Sequence, residues 1–262
     1  MPSKGWFKDR TGEVNYNNFG SKMIIIKCKG RNDVNILFPK YNYIAYCKTY
    51  KNFSKGAVLC PYEPRYYGVG YLGEGNFPTY IDKKITVAFS KWLSMLKRCY
   101  SKKYLIKEPA YKDCKVCDEF LCFQNYARWF YENYYEIERE KMELDKDILI
   151  KGNKIYSPNT CVFVPQRINV LFIKSGKIRG DYPIGVAYNK RDNVFESWIS
   201  KCSNDKKKKQ IYLGRYNTFE EAFQVYKIEK EKYIKQVAYE YKLYIPKKLY
   251  DAMYKWEVDM ND

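Results

Sequence analysis

Leu144-Asp145-Lys146-Asp147-Ile148, followed by Gly152-Asn153, then Tyr156-Ser157-Pro158-Asn159-Thr160-Cys161 and finally Gln166 and Asn169, is the stretch on which the reading of this chain turns. Gly, Asn, Ser and Pro punctuate it too densely for one regular element. Its aspartates are oxygen donors of the kind a hard divalent cation takes. The chain contains no histidine. Acid–base chemistry at this stretch would therefore need another side chain.

Outward from that stretch, the pattern is mixed. Upstream, Phe89, Trp92, Leu93, Leu96 and Cys99 recur at helical spacing, with Lys91, Lys97, Arg98 and Lys102 on other faces, so residues 85–105 are predicted as an amphipathic, basic-sided helix. A second helix is predicted over 120–135, with Phe123, Tyr126, Ala127 and Phe130 on one face. Nearer the N-terminus, 23–28, 33–38 and 43–47 read as strands, with Gly30-Arg31-Asn32-Asp33 as turn chemistry. Gly68, Gly70, Gly73 and Gly75 read as a flexible linker and not as a nucleotide loop, because no strand-to-helix pattern frames them. Downstream, 183–188, 193–199 and 210–216 read as three strands, with the basic loop Lys206–Lys209 before the third. Thr218 with Glu221 three residues on reads as a capping box opening a helix to Tyr239, and 247–256 as a last short helix. The expected fold class is α+β and multidomain. It has a β-rich module over 1–75, a central domain over 76–178, a sheet-plus-helix domain over 179–241 and a helical tail over 242–262.

Composition narrows the function classes. The chain has 262 residues, 46% of them hydrophobic, which supplies real cores and excludes a disordered chain. Lys and Arg outnumber Asp and Glu by 48 to 30, a net charge of +18 spread along the chain. A basic globular protein with interleaved aromatics points to a polyanion, nucleic acid first. The bland alternative is a Lys-rich proteome with little selection on surface charge. No apolar run approaches the ~18–20 residues that span a bilayer, so no membrane partner is expected. Nine cysteines in no secreted-scaffold spacing fit a reducing cytosol.

Two resemblances follow from the motifs. Trp92, Met95 and Arg98-Cys99-Tyr100, then Val116-Cys117-Asp118-Glu119-Phe120, then the opening stretch, resemble in order the HNH-type proteins of bacteriophages and mobile elements, over about residues 85–172. Gly185-Val186, Phe195-x-Ser197-x-Ile199, Leu213-Gly214-Arg215-Tyr216 and Thr218-x-Glu220-Glu221-Ala222 are similar to the AP2 DNA-binding domain. Together they resemble HNH homing endonucleases. That implies a double-stranded DNA partner and a phage-encoded protein in the cytoplasm of a bacterial host.

The HNH resemblance implies a ββα centre with one Mg²⁺ or Mn²⁺. Carried onto this chain, Asp145 is the metal carboxylate and Asn169 the helix ligand. Lys146 falls where the histidine base belongs, and Thr160 or Asn159 takes the orienting position. Lysine is ordinarily a cation at neutral pH and so a poor base; Asp147 is an alternative base or second ligand. Two readings stay open: metal-dependent cleavage or nicking, and binding on a scaffold where Asp145 only caps or pairs with Lys146. Cys114-x-x-Cys117 with Cys99 and Cys161 would give four thiolates to a zinc, against the commoner outcome of buried thiols.

The AP2 resemblance implies that the sheet enters the major groove. Period-two alternation turns Phe195, Ser197 and Ile199 toward the helix and Val194, Glu196, Trp198 and Ser200 outward. On the third strand it turns Ile211 and Leu213 inward, Gln210 and Tyr212 outward. Trp198, Gln210 and Tyr212 are the candidate DNA-facing residues, flanked by Lys190, Arg191, Lys201, Lys206, Lys207, Lys208 and Lys209. Lysine flanks predict phosphate attraction more than base readout. The rivals are a non-catalytic nucleic-acid-binding regulator and a phage protein that grips a host protein through surface tyrosines.

Overall fold

The computed structural model describes residues 8–173, 181–202 and 208–260. The chain forms two compact units, Met1–Glu132 and Asn133–Asp262, and both mix helices with small sheets, so the fold class is α+β. Among the described residues no helix is long and apolar enough to cross a membrane.

The first unit begins with a four-stranded antiparallel sheet in sequential order: β1 (Val14–Tyr16), β2 (Lys22–Gly30), β3 (Asp33–Phe38) and β4 (Tyr43–Lys48). Alternation buries Met23, Ile25, Val34, Ile36, Phe38 and Ala45 on one face. Phe53 of the short α1 (Tyr50–Ser54) joins that core. β2, β3 and β4 lie where the apolar runs predict them; β1, with one half-buried residue of three, carries little pattern to read.

A small hairpin of β5 (Tyr80–Ile81) and β6 (Lys84–Ile85) precedes α2 (Val87–Tyr100), whose N-cap Thr86 Oγ1 accepts from Phe89 N at 3.3 Å. The single helix expected over 85–105 is divided: Ser101 is extended and caps a second helix, α3 (Lys102–Lys107). Next come β7 (Lys115–Val116), α4 (Asp118–Leu121) and α5 (Phe123–Asn133), the last two separated by extended Cys122. Phe89, Trp92 and Phe123 pack with ring centroids 5.0–5.7 Å apart. Trp92 Nε1 donates to Phe120 O at 2.7 Å, so the buried indole leaves no orphan donor.

The glycine stretch is not a flexible linker. Tyr71 N donates to Leu121 O, while Phe123 N and Gln124 N donate to Tyr71 O and Leu72 O at 2.9–3.1 Å. A Cβ on Gly70 would fall on Leu96 and Trp92. Gly70, Gly73 and Gly75 permit close packing of backbone on α2 and the segment that opens α5, a role that composition alone does not separate from flexibility.

The second unit starts with β8 (Met142–Asp145), β9 (Ile155–Tyr156) and β10 (Val162–Pro165), followed by α6 (Gln166–Asn169). β8 and β10 pair antiparallel, with Asp145 opposite Val162. A three-stranded antiparallel sheet follows, in the order β11 (Val186–Asn189), β12 (Val194–Cys202) and β13 (Lys208–Tyr216). Then come α7 (Phe219–Tyr241) and α8 (Lys247–Tyr254). The capping box is present as read: Glu221 N donates to Thr218 Oγ1 at 3.2 Å and Thr218 N to Glu221 Oε2 at 3.3 Å. One hydrophobic core joins both halves of the unit, from Ile148, Val162, Val164 and Ile168 to Ile199, Phe223 and Val237.

Candidate nucleic-acid interface

β8, the loop after it, β10 and α6 form a ββα arrangement. Asp145 stands at the C-terminal end of β8 and Asn169 at the last position of α6, which packs against β8. Asp145 Oδ1 accepts from both Asp147 N and Ile148 N at 2.8 Å, which turns the chain out of the strand. Burial, then the Asp147 carboxylate, push the Asp145 carboxyl up to about 6.

Lys146, the residue that the HNH resemblance sets at the base position, is buried. Its Nζ lies 3.4 Å from Asp147 Oδ2 and 5.8 Å from the centre of the Tyr156 ring. Asn153 closes the loop by donating to Lys146 O and Ile155 O, both at 2.7 Å. The Thr160 hydroxyl is engaged inside the same loop, 2.8 Å from both Ser157 Oγ and Ile155 O. Asn159 is exposed beside it.

This donor set fits a catalytic divalent cation poorly. One oxygen of the Asp145 carboxylate is engaged by two amides, which leaves the other for any cation. The adjacent cation Lys146 is buried and held by Asp147. Among the described residues no three His, Cys, Asp or Glu side chains gather as a metal-holding group. Cys99 and Cys114 are buried in the first unit, and burial pushes the thiol of their half-buried neighbour Cys117 upward. Cys161 is buried in the second unit. None of the nine cysteines is in a disulfide.

The three-stranded sheet has two unlike faces. Ser197, Ile199, Ile211 and Leu213 turn to α7; Ser197 and Ile199 are fully covered. Phe195 meets the Phe219 ring at 6.1 Å on that side. Gly185, entering β11 at φ +84°, passes so close to α7 that a Cβ would fall on the Tyr226 ring. On the opposite face Trp198 and Tyr212 are cross-strand partners with ring centroids 4.7 Å apart. Gln210, Ser200 and Tyr212 are exposed there.

The flanking cations are not equivalent. Arg191 pairs with Asp192 at 2.8 Å. Lys201 reaches back to α7, 3.5 Å from Glu229 and over the Tyr233 ring at 5.4 Å. Lys190 and Lys209 are exposed. Lys206 and Lys207 lie outside the described residues, as does the Lys208 side chain.

Sequence reasoning missed Arg215. A bulge at Leu213 shifts the register between Ser197–Gly214 and Trp198–Tyr212, which brings Arg215 opposite Glu196 on the free face. Its guanidinium lies 3.0 Å from Asp192 and 3.5 Å from Glu196. Strict alternation cannot find a residue beyond a bulge, although Gly214 inside the strand is a signal for one.

No family model, no curated protein and no solved structure matches this chain.

Proposed function

We propose that this protein binds double-stranded DNA through the free face of β11–β13, an AP2-like use of a sheet, and that its HNH-like ββα segment serves binding and not hydrolysis. The observation that carries the reading is the aromatic pair Trp198–Tyr212. It stands on the solvent side of a sheet whose other side is committed to α7. Aromatic surface of this kind, on a sheet that also carries exposed Lys190 and Lys209, suits a groove edge and its phosphates. The net charge of +18 supports a polyanionic partner.

Against hydrolysis stand the occupied Asp145 oxygen, the buried Lys146 and the engaged Thr160 hydroxyl. A nuclease of this type would use Asp145 and Asn169 to hold Mg²⁺ or Mn²⁺, with Asp147 as the remaining candidate base.

Mobility shifts over a salt series test the binding. Affinity should fall steeply with salt, and Trp198→Ala with Tyr212→Ala should weaken it about tenfold or more. A flat salt response, or wild-type affinity in that double variant, would remove this sheet as the interface. Supercoiled plasmid incubated with Mg²⁺, Mn²⁺ or EDTA tests the second half. Intact plasmid is expected; metal-dependent nicking lost in Asp145→Ala would overturn it.

A further inference from the structure

α7 lays an apolar stripe along the inner face of the sheet, with Phe223, Tyr226, Tyr233, Ile234 and Val237 buried. The helical period puts position 230 on that stripe, four residues after Tyr226 and three before Tyr233. The residue there is lysine, while Ile228, two positions earlier, is 63% exposed. Burial alone would favour the reverse.

Lys230 makes no ion pair or hydrogen bond among the described residues, and burial pushes its ammonium down to about 8. The carboxylates beside it on α7 are engaged elsewhere. Glu229 meets Lys201 and Lys232 at 3.5 and 3.8 Å. Glu231 lies 3.7 Å from Lys227 and accepts from Val258 N at 2.9 Å.

A cavity of about 410 Å³ opens next to Lys230, where β12 runs past the end of β11. Trp198, Tyr226, Ile184 and Leu171 give it apolar and aromatic walls, and Ser200 and Gln210 add a hydroxyl and an amide. Lys201, paired with Glu229, is the second cation at its rim, and no carboxylate lines the cavity among the described residues. Small-ligand pockets run from roughly 300 to 1,000 Å³, mostly apolar with a few fixed polar groups. A cation without a counter-ion at such a place costs stability unless an anion arrives.

We propose that this cavity binds a phosphate-bearing ring of nucleotide size, with the Lys230 ammonium as the counter-ion of the phosphate and Trp198 as the flat wall for the ring. The phosphate comes either from a free mononucleotide or from the phosphorylated end of a nucleic acid. The site shares Trp198, Ser200 and Gln210 with the proposed duplex-binding face, while Lys230, Tyr226 and Leu171 belong to the cavity alone, so a Lys230 substitution tests it separately from duplex binding.

Pyridoxal 5′-phosphate, an aromatic aldehyde with a phosphate, is a direct probe for the full-length protein. The Lys230 amine adds to the aldehyde and water leaves to give an imine, which borohydride reduces by hydride transfer to a stable secondary amine. Peptide mapping should find Lys230 labelled about tenfold or more ahead of exposed Lys84. Dephosphorylated pyridoxal separates anion recognition from mere amine reactivity and should label Lys230 far less. Protection by dTMP assigns the site to free nucleotide. Protection only by a 5′-phosphorylated oligonucleotide, and not by its unphosphorylated form, assigns it to a nucleic-acid end. Protection by neither, or equal labelling by pyridoxal, overturns the proposal. Lys230→Met, which keeps the side-chain length, should fold and lose binding of whichever ligand protects, dTMP or the 5′-phosphorylated oligonucleotide, in equilibrium dialysis; retained binding would also overturn it.

Discussion

The Tyr233 hydroxyl closes the open edge of β12 by bonding both backbone groups of Cys202, accepting from its N–H at 2.8 Å and donating to its C=O at 2.9 Å. β11 pairs with β12 only as far as Ser197, so the end of β12 would otherwise present a bare edge on that side. Tyr233→Phe should keep the ring in the core and leave both groups without their partner. A loss of about 1–2 kcal/mol in unfolding free energy is expected. An unchanged urea midpoint would show that water replaces the hydroxyl at no cost.

Lys230 gives a pH dependence whose sign follows from its lowered pKa of about 8, against 10.5 for an ordinary lysine. Below about pH 8 both folded and unfolded chains carry the proton, and the folded state bears the full desolvation cost. Between 8 and 10.5 the folded chain has released the proton while the unfolded chain still holds it, so stability rises with pH across that window. Lys230→Met should therefore stabilise the protein by about 2–3 kcal/mol at pH 7 and by little near pH 10.5. Thermal unfolding of both proteins across this range checks it; a constant difference would mean the ammonium keeps its solvent.

Asp145 is predicted to matter first as a turn former. Asp145→Ala removes the acceptor of two amides at the end of β8 and should cost about 1–3 kcal/mol. Asp145→Asn keeps an oxygen acceptor at that place and should cost much less. A scaffold role predicts that this order of stability is the same with and without Mg²⁺. A cation held by the carboxylate would instead make Mg²⁺ raise the unfolding temperature of the wild type alone.

The legible parts of this chain are those where a period repeats. β2 and β3, the buried faces of α2 and α5, and the Thr218 capping box follow from spacing alone. What escaped depends on tertiary partners. Gly70 looks like linker composition until Trp92 and Leu96 close on it. Ser101 splits a helix because its side chain caps the next one, a competition that periodicity does not weigh. At the candidate site the residue types were legible, but their engagement was not. Nothing in Lys146-Asp147 tells that the lysine is buried, and the residue types alone leave open whether Asp145 caps the backbone, as its oxygen does, or holds a cation. Lys230 left a readable sign, a charge on the apolar stripe from Phe223 to Val237.

Arg215 and Glu196 allow the proposed DNA face to be tested by gain instead of loss. They face each other across β12 and β13 on the free side of the sheet, with guanidinium and carboxylate 3.5 Å apart. Glu196 is a negative charge on a face proposed to meet phosphates, and it holds a cation that would otherwise reach for them. Asp192, 3.0 Å from Arg215, keeps the side chain positioned when Glu196 is neutralised. Arg215 is half exposed and keeps Asp192 as a partner, so losing the Glu196 pair should cost under about 1 kcal/mol of stability. Glu196→Gln should then tighten duplex binding several-fold at low salt and steepen the salt dependence by about one unit of slope, the signature of one more phosphate contact. Arg215→Gln should do the opposite. Should both variants bind like the wild type while their unfolding curves stay unchanged, the phosphates pass elsewhere, and the Trp198–Tyr212 face loses its role.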